Sequence, residues 1–448
     1  MRKPLLGVAI WAFAAWVAAS ATPALAEHER EKETASALII ERASTGTGIP
    51  SILTLEWCLE RARSANPDLD VAKASARAAE HRVRPAGAFP DPRLAYEASN
   101  IPTGDFDFKS TPLSGHQLGL RQKLPFPGLL SNQASAAERG AEAERLLVED
   151  QELLTDAAVE RAWSELAFAQ QALEITSRNV ALLRQLSETT ESRYRVGSGL
   201  QQDVLRAQVE LTALLQEELR RTEAIERAEA FVVALLDLPP ETRLPQTASL
   251  ASSGEPPALL PLLEDLASKN ARIRAAEQRV NEAKHRIRVA ELEGLPDVDL
   301  GIGYRVRENV AGDPVNGDDF FSAGVTVRLP IDRSKYRSRV AERRALLRRS
   351  EANLRAARAM LGAATRHAHA ELTRADSEEA LLETGLVPQA RQSLDSSRSA
   401  YEVGRIEFLS LLDSQVRLLG AELRLARAKA DKRIAFAALE TAAGEKLR

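Results

Sequence analysis

The chain has 448 residues, 4% aromatics and a formal charge of −4, with Lys and Arg interspersed among Glu. Ala, Leu, Glu and Arg dominate, which is the composition of extended helices or coiled coils. So mild and mixed a charge gives no basic patch for nucleic acid, and the single cysteine, Cys58, cannot form an internal disulfide.

Residues 1–26 read as a secretory leader. Arg2 and Lys3 form the charged start, Leu5 to Ala19 the apolar run, and Ala24-Leu25-Ala26 the small-x-small cleavage site. The alternative is an uncleaved anchor, against which Pro23 and the Ala-x-Ala end argue. No Cys follows the cleavage site, so no lipoprotein anchor is expected there. After cleavage no run of ~18 apolar residues remains to form a transmembrane helix. Residues 27–52 are charged, then rich in Ser, Thr and Gly, and read as a flexible N-terminal arm.

The first repeat is assigned to 53–237. Thr54 to Ala88 is helical with a break at Asn66-Pro67. A β-hairpin follows over 92–125, its strands alternating through Leu94, Tyr96 and Ala98 and through Leu118, Leu120 and Leu124. Pro127 is expected at the first position of a helix of about 70 residues, ~105 Å long. Val159, Ala162, Leu166, Ala169, Leu173, Thr176, Val180, Leu183, Ser187, Thr190 and Tyr194 step through it as a coiled-coil seam. It turns at a tip near 197 and returns from Gln202 to Leu236.

Residues 238–260, rich in Pro, Ser and Gly, form a linker or equatorial segment. The second repeat, 261–448, has a helix, a hairpin over 297–330, and a long helix from about Ser334 to Val403 with a kink expected at Pro388. Its tip lies near 404, and its return helix runs from Glu407 to Glu440.

The duplication is visible residue by residue. Tyr194, Val196, Gly197, Leu205, Gln208 and Val209 recur as Tyr401, Val403, Gly404, Leu412, Gln415 and Val416, at an offset of 207. His81 answers His285 at 204, and Leu124-Pro125 answers Leu329-Pro330 at 205. Gly197 and Gly404 stand where a helix end adopts the left-handed region most cheaply.

Strands of about nine residues with one apolar and one polar face fit a soluble β-sandwich edge or an outer-membrane barrel. Eight of the 20 aromatics fall in the 72 residues 89–126 and 297–330, which favours interfacial girdles and hence the barrel. Four strands cannot close, and an open edge cannot face lipid, so the chain must oligomerise; a trimer would give twelve strands. The long helices would continue the barrel as a tube, and a barrel joined to a tube is a duct.

Leader, duplicated helix–hairpin–long helix–tip–helix order, and Y-x-V-G-…-L-…-Q-V at both tips together resemble the TolC family of outer-membrane efflux proteins, from about Leu53 onward. The resemblance implies a mainly α fold with membrane β. Its parts are a long coiled-coil helical barrel and a β-barrel built from two hairpins per protomer, with internal duplication. It implies a homotrimer in outer-membrane lipid, its helical barrel extending into the periplasm, a passive channel component of a tripartite efflux system. The partners implied are a periplasmic adaptor and an inner-membrane resistance–nodulation–division transporter, with no nucleic acid, cofactor or catalytic activity.

By position, the resemblance assigns the periplasmic aperture to Asp203, Tyr401 and Asp413, with Arg405 one residue before Ile406, where a locking Arg can occur. Tyr194, Val196, Gly197, Leu205, Val403, Gly404 and Leu412 are the expected adaptor-docking positions. The structural alternative is that Tyr194 and Tyr401 cap the apolar seam. The turn Leu124-Pro125-Phe126-Pro127-Gly128 resembles heavy-metal efflux members of the CzcC kind, so metal cations are the expected cargo; such a junction also suits any member structurally. Multidrug efflux and type I protein secretion remain alternatives within the family, and a secreted coiled-coil structural protein outside it. His367 and His369 lie two apart on a helix and point to different faces, and no phosphate loop, nucleophile elbow or zincin motif is present.

Overall fold

The computed structural model describes residues 48–104, 106–109, 111–250 and 254–447. The leader and the arm as far as residue 47 lie outside the described residues.

Short helices open each half. Thr54 caps α1 (Leu55–Ala65) by accepting from the Trp57 amide. Asn66 caps α2 (Pro67–His81), its side chain accepting from the Asp68 and Leu69 amides, with Pro67 at the first turn where its missing N–H costs nothing. The expected break at Asn66-Pro67 is thus a cap between two helices. A single turn, α3 (Val83–Gly87), leads to the first hairpin, β1 (Arg93–Ser99) and β2 (Gly115–Leu124).

The next helix, α4 (Leu129–Arg195), has 67 residues. Pro127 does not open it. Gly128 takes φ +88° and ψ −12°, and the Leu129 amide donates to Phe126 O at 3.0 Å. Phe126-Pro127-Gly128-Leu129 is therefore a type II turn, with Pro and Gly at the two positions that turn selects. The return helix is α5 (Gln201–Leu235).

The second half repeats the order: α6 (Leu259–Lys269), α7 (Ala271–Leu292), β3 (Asp297–Val306), β4 (Phe320–Arg328), α8 (Arg333–Leu381), α9 (Val387–Glu402) and α10 (Phe408–Ala443). At Pro388 the expected kink takes the form of a π turn, Leu382–Leu386, just before the proline. Proline offers no N–H to the preceding turn, and the chain re-registers by one residue, the Val387 amide donating to Leu382 O. That extra residue is part of why the repeat offset grows from 205 at the hairpins to 207 at the tips.

The strands form one antiparallel sheet in the order β1-β2-β3-β4. Its register aligns Tyr96, Leu118, Tyr304 and Phe321 in one row and Leu94, Leu120, Ile302 and Ala323 in the next, so every strand contributes to one apolar face. That face is exposed in the single chain. The opposite face carries Arg121, Lys123, Asp297 and Arg328. Asp297 there accepts from Arg328 at 2.7 Å and pairs with Lys123 at 3.0 Å, tying β2, β3 and β4 together at the end nearest the helices. Among the described residues β1 and β4 each pair on one side only. No described helix is long and apolar enough to cross a membrane.

Near the sheet, α2 packs on α4, α4 on α7, and α7 on α8; farther away α4 packs on α5 and α10, and α9 on α10. Along the α4 seam Val159, Leu166, Ala169, Thr176, Val180, Leu183 and Thr190 are buried, while Tyr194 is exposed. Buried polar residues on and beside the seam are satisfied locally, Thr176 Oγ1 donating to Ala172 O and Asn179 Nδ2 to Ile175 O. Asn179 Oδ1 in turn accepts from Gln415 Nε2 of α10.

Candidate functional site

The two hairpin tips lie at the end of the helices opposite the sheet, and both are built by the same backbone device. The Gly197 amide donates to Tyr194 O at 3.0 Å and the Ser198 amide to Arg193 O at 2.9 Å. In the second half Gly404 donates to Tyr401 O at 3.0 Å and Arg405 to Ala400 O at 2.8 Å. With Gly197 at φ +78° and Gly404 at φ +71°, both are Schellman endings, and the glycines are needed for the left-handed residue.

The tips differ in what they bury. Tyr401 is only 8% exposed and packs with Leu183, Ala207, Leu394, Phe408 and Leu411 in the core of the lower bundle. Arg193, from the other hairpin, lies over its ring at 4.5 Å from the centroid. The same guanidinium donates to Glu402 O at 3.0 Å and to Tyr401 O at 3.2 Å, the latter shared with the Gly404 amide, at the end of α9. One cation thus closes a helix terminus and an aromatic face together. Burial raises the Tyr401 phenol above its ordinary value; Asp203 adds to the rise and Arg193 opposes it. Tyr194, at the matching position, is exposed and has no such clasp.

Of the expected aperture residues, Tyr401 and Asp203 come together electrostatically, with Arg193 as a third member. Arg405 is exposed and enters the turn through its amide. Asp413 is exposed on α10 and pairs with Arg417 at 2.8 Å, one helical turn on. Arg193 was not anticipated from the sequence because its repeat counterpart is Ala400, so comparing the halves hides it.

Among the expected docking residues, Val196 and Val403 are 75% and 68% exposed at the two apices. Leu205 is 54% exposed, whereas its counterpart Leu412 is 8% exposed and belongs to the core. The two leucines nevertheless line one groove between the first turns of α5 and α10, with Val209 and Leu409. Leu412 is its floor and Leu205 its wall. Among the described residues no group of three or more His, Cys, Asp or Glu is placed to hold a metal ion.

Comparison with known proteins agrees with this architecture. The outer membrane efflux protein BepC of Brucella suis is 23% identical over 418 residues, 92% of this chain and 90% of that protein. The pyoverdine export outer membrane protein OpmQ of Pseudomonas putida is 25% identical over 415 residues, 87% of this chain and 85% of its own length. The crystal structure of CusC superposes with a TM-score of 0.75 at 17% identity, covering 88% of this chain and 92% of CusC. The family described as outer membrane efflux protein matches residues 58–237 and 262–445, both halves of the duplication. The chain belongs to that family of TolC-like channels, which sit in the outer membrane with their helical barrel in the periplasm.

Proposed function

We propose that three copies close their sheets into a twelve-stranded barrel and their helices into a tube, forming a passive exit duct. The duct takes cargo from a periplasmic adaptor and an inner-membrane resistance–nodulation–division transporter. The observation that carries this reading is the sheet: an apolar face spans all four strands, yet β1 and β4 have open edges, which lipid does not tolerate. In this reading Asp203, Tyr401, Arg405 and Asp413 border the periplasmic aperture. Tyr194, Val196, Gly197, Leu205, Val403, Gly404 and Leu412 form the adaptor-docking surface, with the exposed valines at the apices and the leucine groove beside them.

Heavy-metal cations are the cargo we propose first, supported by the Leu124–Gly128 junction. A second reading, export of larger organic cargo, is favoured by the relative OpmQ, a pyoverdine exporter. Deleting the gene and scoring growth on divalent metals and on lipophilic drugs separates them. Sensitivity to metals alone supports the first. Drug sensitivity with normal metal tolerance, or loss of a secreted protein or siderophore, rejects it.

A further inference from the structure

The apolar face of the sheet does not stop where the sheet does. Phe321, Val325 and Val327 on β4 are exposed, and the alternation continues past the strand as Leu329 and Ile331, the latter 87% exposed. A basic run follows at once. Over residues 333–344, the start of α8, stand Arg333, Lys335, Arg337, Arg339, Arg343 and Arg344, with Glu342 the single acid. The matching stretch of the first half, 128–139 at the offset of 205, holds only Glu138 and Arg139. The first half builds the same strand-to-helix junction without the charge, so the fold does not require it.

The basic run borders a hollow of about 970 Å³ between the end of α7 and the start of α8, a size that suits a small ligand. One wall is apolar, with Leu295, Leu329 and Ile331; the other carries Arg333, Arg337 and Arg344. Glu291, the one carboxylate lining the hollow, is held by Arg288 at 3.0 Å and Arg344 at 3.6 Å. Asp332 caps α8, accepting from the Lys335 amide at 3.1 Å. Arg333 and Arg337 are exposed and enter no ion pair among the described residues.

An apolar wall that prolongs a membrane face, beside two unpaired guanidiniums, matches a ligand with acyl chains and a negative head. We infer that the hollow binds an anionic phospholipid of the periplasmic leaflet. Arg333 and Arg337 hold its phosphodiester, and its acyl chains lie along Leu329 and Ile331. The site rests on the reading above that the sheet spans the membrane as part of a closed barrel. Guanidinium forks suit phosphate oxygens, and basic side chains beside a lipid surface favour anionic head groups. A zwitterionic lipid brings the same phosphate with an ammonium that the arginines repel, so head-group charge is what the site reads.

The test uses the full chain extracted in detergent, stripped of lipid and weighed by native mass spectrometry with added phosphatidylglycerol, phosphatidylethanolamine or inorganic phosphate. Wild type should retain phosphatidylglycerol at about tenfold lower concentration than phosphatidylethanolamine. Arg333→Gln with Arg337→Gln should erase that preference, whereas Arg333→Lys with Arg337→Lys should keep most of it. Arg349→Gln with Arg355→Gln removes the same charge farther along α8 and should leave the preference intact. Equal retention of the two lipids by wild type, or a preference that follows Arg349 and Arg355 instead, overturns the site. Displacement of the lipid by inorganic phosphate at equal concentration would assign the arginines to a free anion and overturn the lipid. A chain that stays soluble without detergent and retains no lipid overturns the membrane reading as well.

Discussion

Asn66 and Asn270 stand 204 residues apart and do the same two things. Each caps the helix that follows, and each donates its amide to the end of the return helix in its own half: Asn66 to Leu235 O at 3.0 Å, Asn270 to Ala442 O at 3.2 Å. Both are buried. Each half is thus bolted shut at its waist by one side chain that uses its oxygen along the chain and its nitrogen across it.

Asn270→Ala removes the cap and one of the two donors to the Ala442 carbonyl, Thr365 Oγ1 remaining at 3.2 Å, a loss of about 1–2 kcal/mol. Asn270→Asp keeps the cap acceptor but loses the donor, and should also unfold at lower denaturant than wild type. Denaturant midpoints of the purified chain check both. A wild-type midpoint for Asn270→Ala would mean that the bolt contributes nothing. The backbone leaves no room for change here, since a Cβ on Gly444 would lie 2.6 Å from Asn270 Cα.

Leu205 and Leu412 look alike in sequence and differ in place. Leu412→Ala empties a core position and should cost about 2–5 kcal/mol. Leu205→Ala removes an exposed wall of the groove and should change stability by under about 0.5 kcal/mol, while weakening adaptor capture. Thermal unfolding and a pull-down with purified adaptor separate the two effects. Equal destabilisation by both variants would contradict the burial difference.

The contrast shows how far the sequence could be read. Alternation in the strands, the 3-4 seam of α4 and the two glycine turns each follow from local chemistry, so hairpins, long helices and tips were legible. The offset of 207 proved the duplication but presented the halves as equivalent. It could not show that Tyr401 is clasped by Arg193 while Tyr194 is free, because Ala400 stands where the second arginine would be. Likewise Pro127 reads as a helix start until Gly128 is seen in a left-handed turn. What stayed hidden depends on which side chain from one half reaches into the other.

The Arg193 clasp should hold the tips together. Arg193→Ala removes two charge-assisted hydrogen bonds and a cation–π contact, worth about 2–3 kcal/mol in a half-buried setting. If the tips border the aperture, single-channel conductance in planar bilayers should rise several-fold for this variant. Arg193→Lys should fall between, because lysine keeps the charge but not the planar fork. Unchanged conductance in Arg193→Ala would place the constriction elsewhere.

The Tyr401 phenol provides the pH dependence. Burial raises it, Asp203 raises it further, and Arg193 pulls it down, so it ionises above an ordinary tyrosine. Below about pH 10 the phenol is neutral in both folded and unfolded chains and contributes no pH dependence. Above that the unfolded chain loses its proton first, so stability falls as pH rises toward the folded value. Carbon-13 labelling of the tyrosine ring lets NMR follow this residue, assigned by its loss in Tyr401→Phe. Arg193→Ala should move the titration upward and Asp203→Asn downward. Opposite movements of that kind require both charges to act on the ring. A titration that ignores both variants would leave burial as the whole cause and remove Asp203 from the tip cluster.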